Sequence, residues 1–280
     1  MAIRSVVKRR KRVSFVILAI VSILWIMPLV WGLATSFKTP IDISLNTTSL
    51  FPKEFTFQHY KSLFARVDTP VLKWMLNSFI IASAHTILYL IVASMAAYAF
   101  SVMKFKFRDQ IFWFILGTTM IPTVINLVPL ITMMIDLGWF GTWLPLIIPG
   151  LGGVFGLFLL RQFFLGIPTE LIESAKIDGL GNFGIFVKIV VPLSRSAFLV
   201  AALFSFMGNW NDYLWPQIIL SGTEASTWTL PVGLSKIVGT YNYDYGLSMA
   251  AAILAIVPVV IVYAFLQDKI IEGVARTGIK

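Results

Sequence analysis

The 280-residue sequence contains no cysteine and only two histidines, His59 and His85. The first absence rules out disulfides, thiol nucleophiles and cysteine-ligated metals. The second leaves a histidine-rich metal centre without ligands. Charge is scarce as well: Asp, Glu, Lys and Arg make up 12% of the chain, about half the ~25% of an ordinary soluble domain. That is too little to cover a water-facing surface of this size. The sequence has no G-x-x-x-x-G-K-[ST] run, no H-E-x-x-H pair, and no glycine-flanked serine elbow with a plausible histidine. Neither a P-loop nor a hydrolase is expected, so the chain reads as a non-enzyme with no cofactor of its own.

What is plentiful is apolar: 58% of residues are hydrophobic. They lie in long charge-free gaps. Arg12 to Lys38 encloses 25 residues, Lys73 to Lys104 encloses 30, Asp109 to Asp136 encloses 26 and Asp136 to Arg161 encloses 24. Arg195 to Glu224 encloses 28, interrupted only by Asp212, and Asp244 to Asp268 encloses 23. A spanning helix needs about 20 apolar residues. The expectation is an all-α integral membrane protein with six transmembrane helices near 13–35, 75–100, 110–134, 142–164, 196–219 and 247–267. Continuous runs of this length exclude the ~10-residue alternation of a transmembrane β-barrel. Gly152, Gly153 and Gly156, and Ala93 with Ala97, supply small-residue surfaces for close helix packing.

The net charge of +9 is a topology signal rather than a nucleic-acid one. With the N-terminus inside, 16 of the 22 Lys and Arg residues fall in inner segments, as the positive-inside rule requires. The layout is then a basic cytoplasmic N-terminus (1–12), a first span (13–35) and an extracytoplasmic loop (36–74). A five-helix core (75–267) and a cytoplasmic tail (268–280) follow. The basic start and apolar run resemble a signal peptide, but the run is too long and lacks a small-residue cleavage site. An uncleaved first span is expected.

One inner connection, 161–195, has local structure of its own. Thr169 reads as a helix cap with Glu170 in the first turn, and Gly179 as the stop. Leu171 and Ala175 fall on one face, with Ser174 beside them. Asn182 reads as the cap of a second helix that bends at Pro192. A short helix bearing Glu170, Glu173 and Asp178 suits a groove on a cytosolic partner better than anionic lipid.

Glu173-Ser174-Ala175, Gly179, Ile189 and Pro192 resemble the EAA loop of ABC importer permeases, with Ser174 and Val191 in place of the usual Ala and Leu. Gln162-Phe163-Phe164, Ile177-Asp178-Gly179, Trp210-Asn211-Asp212, Thr229 to Leu234 and Glu272-Gly273-Val274-Ala275 resemble the MalG-like half of the carbohydrate-uptake group. The resemblance covers about residues 70–280. It implies a type I (MetI-like) fold with a cytoplasmic EAA coupling helix, made of Glu170, Leu171, Glu173, Ser174, Ala175, Asp178 and Gly179. It also implies alternating access and a bacterial or archaeal plasma membrane, with both termini cytoplasmic. The implied partners are a second, MalF-like permease chain, two ATPase subunits that carry ATP and Mg, and an extracytoplasmic solute-binding protein. Membrane lipid surrounds the assembly, and nucleic acid is not a partner.

Polar residues inside spans are the remaining candidates. Ser205, Asn209, Asp212 and Pro216 recur on one helical face of the fifth span, and Asn126 lies in the third. Each fits either the translocation path or a packing hydrogen bond; His85 fits a packing bond better than a proton relay. Trp25, Trp31, Trp74, Trp139, Trp143 and Trp215 sit near span ends, as an interfacial belt would. Loop 221–246 carries Trp228, Tyr241, Tyr243 and Tyr245; in MalG-like relatives this loop reaches toward the binding protein. Two alternatives remain: an ABC permease for a solute other than sugar, and a secondary transporter driven by an ion gradient.

Overall fold

A computed structural model describes residues 2–46, 48–240 and 244–277. Among the described residues three helices are long and apolar enough to cross a membrane alone: α1 (Ala2–Ser36), α2 (Val71–Ser101) and the last helix, Tyr245–Thr277. Three bent pairs bring the candidate spans to six. The first is α3 (Arg108–Thr118) with the segment Thr123–Asp136, bent by 86°. The second pairs Leu144–Gly152 with α4 (Val154–Leu165), bent by 44°. The third pairs Asn182–Leu193, which follows α5 (Thr169–Ile177), with α6 (Arg195–Trp210), bent by 82°. Then come α7 (Leu214–Ile219), α8 (Leu230–Thr240) and α9 (Tyr245–Thr277).

The breaks depart from six straight rods. Pro122 cannot donate a backbone hydrogen bond and biases the residue before it away from helix; the third span accordingly breaks just before it. The fifth span stops at Trp210 rather than near 219, and α7 is a separate helix.

The chain forms two compact units. One comprises residues 1–71 and 234–257. Within it the apolar window of α1 has none of its residues buried, so lipid is the natural solvent of that surface. Phe37 stacks on Phe55 at 4.5 Å, and Phe57 and Tyr60 close round the same ring. Buried His59 bonds the Lys38 carbonyl through Nε2 at 2.9 Å. A Cβ on Gly246 would lie only 2.1 Å from that imidazole, which is why the start of α9 needs a glycine there. Asp244 accepts the Leu247 amide at 2.9 Å and so caps α9.

The other unit comprises 72–233 and the segment from 258 onward. Its main core joins Ala93, Ala97, Tyr98 and Phe112 to Leu157, Leu160, Phe164, Ile185, Ala197 and Ala201. Small residues on α2 and α6 let large ones on α4 approach closely. A second core gathers Ile81, Met134, Leu146, Ile219 and Leu220.

Arg161 ties three helices together at one edge of the main core. It donates to the Phe100 carbonyl at 3.1 Å and to Asp109 at 3.0 Å, and its guanidinium lies 3.9 Å from the Phe112 ring centroid.

Candidate functional site

α5 is held on the main core by two residues three apart, Ile172 and Ala175, both buried. Its opposite face, with Glu170, Leu171, Glu173, Ser174, Lys176, Ile177 and Asp178, is exposed. The expected pairing of Leu171 with Ala175 on a docking face is therefore corrected. An i, i+4 spacing puts the two on adjoining parts of one face, but the buried edge runs through Ile172 and Ala175 and stops short of Leu171. Ala175 faces inward and Leu171 outward.

The stop is as expected. Gly179 has φ +82°, in the left-handed region that glycine enters without steric cost. The Leu180 amide donates to the Ala175 carbonyl at 2.9 Å, and the Gly179 amide to Lys176 at 3.0 Å. These are the two reverse bonds of a Schellman cap, and half-buried Leu180 packs against the main core. The start differs. Pro168 occupies the cap position, Thr169 is the first helical residue, and no side chain caps the turn. Asn182 is likewise the first residue of its helix, with Gly181 at the cap and no side-chain bond.

The polar stripe of the fifth span is divided. Because α6 ends at Trp210, Asp212 and Pro216 are not on the helical face of Ser205 and Asn209. Ser205 and Asn209 line an open groove of about 330 Å³ with His85, Tyr89, Phe155, Phe204 and Gly208. Asp212 lines a second one of about 320 Å³ with Asn126, Thr123 and Trp215. Its carboxylate accepts the amides of Trp215 and Tyr213, so it caps the turn into α7 as well as facing the groove.

The first groove has an organised floor. His85 Nδ1 bonds the Ile147 carbonyl at 2.8 Å, and its ring stacks on Tyr89. Tyr89 Oη accepts the Gly156 amide at 2.6 Å. Thr86 donates to Ser205 at 3.3 Å. Phe155 meets Phe204 edge to face at 5.1 Å.

At the opposite end of α2 from Ser101, Trp74, Trp143 and Trp215 each donate to a backbone carbonyl. Trp74, fully buried, donates to the Ala225 carbonyl at 2.7 Å; Trp143 donates to Thr227 at 2.9 Å and Trp215 to Pro145 at 2.9 Å. Asn77 bonds the carbonyls of Ser226 and Trp228, and Ser78 accepts the Leu230 amide. A Cβ on Gly233 would lie 2.1 Å from the Trp74 ring. Trp25, by contrast, is exposed. The expected loop 221–246 is thus largely folded. Trp228 packs against Trp74 with ring centroids 6.1 Å apart, Tyr245 is exposed, and Tyr241 and Tyr243 lie outside the described residues.

Residues 89–276 match the family described as binding-protein-dependent transport system inner membrane component. The chain is a member of that family. It is a permease component of the inner membrane, not an enzyme. It is 34% identical to the lactose transport system permease protein LacG of Rhizobium radiobacter, over 93% of both chains. It is 32% identical to the arabinooligosaccharides transport system permease protein AraQ of Bacillus subtilis, over 92% of both. A solved bacterial ABC transporter involved in import of the acidic polysaccharide alginate shares the fold, with a TM-score of 0.84 at 21% identity, covering 93% of this chain and 96% of that one.

In this permease two further exposed apolar residues flank the EAA sequence: Ile177, 86% exposed, and Phe183, 74% exposed. Sequence reasoning does not single them out as exposed apolar residues, since exposure of one side chain in a short helical segment leaves no periodic signal. It also misses the grouping of His85, Tyr89, Phe155 and Phe204 with Ser205 and Asn209, since contacts between helices leave no periodic trace.

Proposed function

We propose that this chain is one of two permease subunits of an ATP-driven sugar importer. Its likeness to sugar permeases along nearly its whole length is the observation that carries this reading. Sugar, partners and side of the membrane are assigned together: α5 faces the cytoplasm, the N-terminus lies on the same side, and an external binding protein delivers the solute. A second, different permease chain completes the pathway, and two ATPase subunits holding ATP and Mg bind beneath.

Coupling is assigned to α5. The exposed row Glu170, Leu171, Glu173, Ser174 and Ile177 enters a groove on the ATPase, with Asp178 and Gly179 setting where the helix ends. Ala175 supports that row from beneath. Because Ile172 and Ala175 are embedded in the core that joins α2, α4 and α6, a displacement of α5 is a displacement of packed helices, which transmit it without slack.

The path is assigned to the two grooves. Hydroxyl and amide groups at Ser205 and Asn209 suit the donors and acceptors of a sugar ring, and the Phe155 and Phe204 rings suit its C–H faces. Asn126 and Asp212 line the second groove.

The test is purification of the tagged chain in mild detergent, then uptake by proteoliposomes. Co-purification of an ATPase and a second permease, with ATP-dependent uptake of a sugar, is the expected result. A lone chain with uptake driven by an ion gradient would overturn the reading.

A further inference from the structure

The first unit holds a half-open cavity of about 210 Å³ lined by Trp31, Thr35, Lys38, Ile43 and Tyr245. Neither the coupling helix nor the two grooves of the path include it. Its polar groups are unusual for a membrane boundary. Lys38 is 1% exposed; its ammonium donates to the Ser49 carbonyl, and an ammonium carries three donors. Asp42 is close enough to feel its charge, but the Asp42 oxygens accept from the Lys53 amide at 3.0 Å and the Asn46 side chain at 2.9 Å. Thr35 is 2% exposed, and its hydroxyl has no hydrogen-bond partner. A buried hydroxyl left in that state is destabilising unless a ligand completes it.

The position of the cavity indicates what the ligand is. The apolar helix Lys11–Ser36 has 26 residues; at 1.5 Å each it is about 39 Å long, more than the ~30 Å hydrocarbon core. Its last turn, Trp31 to Ser36, therefore reaches the headgroup layer, and Lys38 is the first charge beyond it. Tyr245 opens the apolar stretch of α9. Trp and Tyr walls with a buried cation and an unpaired hydroxyl are chemistry for a phosphodiester above an acyl chain.

We propose that this cavity binds the headgroup of one anionic phospholipid, with Lys38 and Thr35 on the phosphate and Trp31, Ile43 and Tyr245 on the glycerol and upper chain. The site does not rest on the sugar assignment. It would fix the end of α1 relative to the start of α9 through a lipid that both contact.

The experiment uses the complete transporter purified into nanodiscs of phosphatidylcholine with graded phosphatidylglycerol. Native mass spectrometry counts the lipid retained on the ejected complex. One phosphatidylglycerol per copy of this chain is expected. Lys38→Met should weaken retention about tenfold, the scale of one charge-assisted hydrogen bond. Thr35→Val should weaken it less. Ile43→Trp, which fills the cavity and leaves the Lys38–Ser49 bond in place, should abolish it, and this variant decides the matter if Lys38→Met fails to assemble. Equal retention of phosphatidylcholine, unchanged retention in Ile43→Trp, or displacement by inorganic phosphate would overturn the assignment to lipid.

Discussion

Tyr89 Oη sits 2.6 Å from the backbone nitrogen of Gly156 and accepts its hydrogen. Gly156 is the third residue of α4, so its N–H has no partner within the helix. The residue at the cap position, Gly153, has no side chain to supply one. A tyrosine from α2 therefore serves as the cap, and it reaches the amide because Gly153 and Gly156 leave room for its ring. Tyr89 and Gly156 are both buried, so no water replaces that acceptor and the bond matters more than at a solvated helix end.

A Cβ on Gly156 would lie 2.4 Å from Tyr89 Oη, whereas one on Gly152 meets nothing within 4 Å. Gly156→Ala should cost about 1–3 kcal/mol through overpacking. Tyr89→Phe should cost about as much through the orphaned amide. Gly152→Ala should be neutral or slightly stabilising. Thermal unfolding of the detergent-purified complex, followed by size-exclusion chromatography, ranks the three. Equal midpoints for Gly152→Ala and Gly156→Ala would refute the capping account.

The coupling helix separates its supporting residues from its contact residues. Ile177→Asp should leave the permease folded but release the ATPase on co-purification, since Ile177 touches none of the core. Ala175→Leu should do the reverse and disturb the permease itself, because that site is closed by the surrounding helices. Losses of ATPase binding without loss of folded protein in both variants would show that Ala175 contacts the partner after all.

Much of this architecture is legible in the amino-acid sequence. The charge-free gaps give the number of candidate spans, though the fifth ends at Trp210 and not near 219, and Gly179 with its preceding helix is readable because a Schellman cap is a local event. The breaks are less so. Pro122 is visible, but whether a proline kinks or ends a helix depends on neighbours that re-satisfy the freed carbonyl. Trp74 resembles a membrane-belt residue because composition near a span end cannot reveal that its indole meets a carbonyl 151 residues away. A helical periodicity puts Asp212 on the face of Ser205, but it runs past Trp210, where the helix itself stops.

At Gly179 the expected outcome is uncoupling rather than unfolding. Valine there would meet no atom within 4 Å of its Cβ, so the penalty is backbone strain alone, roughly 1–2 kcal/mol for a left-handed residue. The chain relieves it by changing how α5 ends, which redirects Asp178 and the row in front of it. Gly179→Val should fold in the membrane, and the assembled transporter should then hydrolyse ATP on its ATPase subunits without matched uptake. Gly179→Asn, which tolerates positive φ, should retain more coupling. Side-by-side ATPase and uptake rates in proteoliposomes check this, and normal coupling in the valine variant would defeat the docking assignment.

Arg161 is the pin between α2, α3 and α4. Lysine keeps the charge but cannot bond Phe100 and Asp109 from one planar group while lying flat on Phe112. Arg161→Lys should lower the unfolding midpoint and Arg161→Ala should lower it further, by about 1.5–3 kcal/mol in stability. Asp109→Asn should be milder, since the Phe100 and Phe112 contacts survive. If lysine matches arginine in the same unfolding assay, charge alone suffices and the planar contacts are incidental.

The segment around Asp42 carries an acid-sensitive clasp. The Lys53 amide bonded to its carboxylate holds Asp42 below the ordinary value near 3.8, helped by Asn46 and by the charges of Lys38 and Lys53. A carboxyl whose folded pKa lies below its unfolded one contributes stability in full above the unfolded value. That contribution is lost as pH falls through the folded value. Protease protection of residues 37–56 should therefore be flat from pH 7 to about 5 and decline below about 4. Asp42→Ala should lack the protection at every pH, because the Lys53 amide and the Asn46 side chain both lose their acceptor. Proteolysis of reconstituted protein with acid- and neutral-active proteases reads both. A variant that still showed the acid decline would place the titrating group elsewhere.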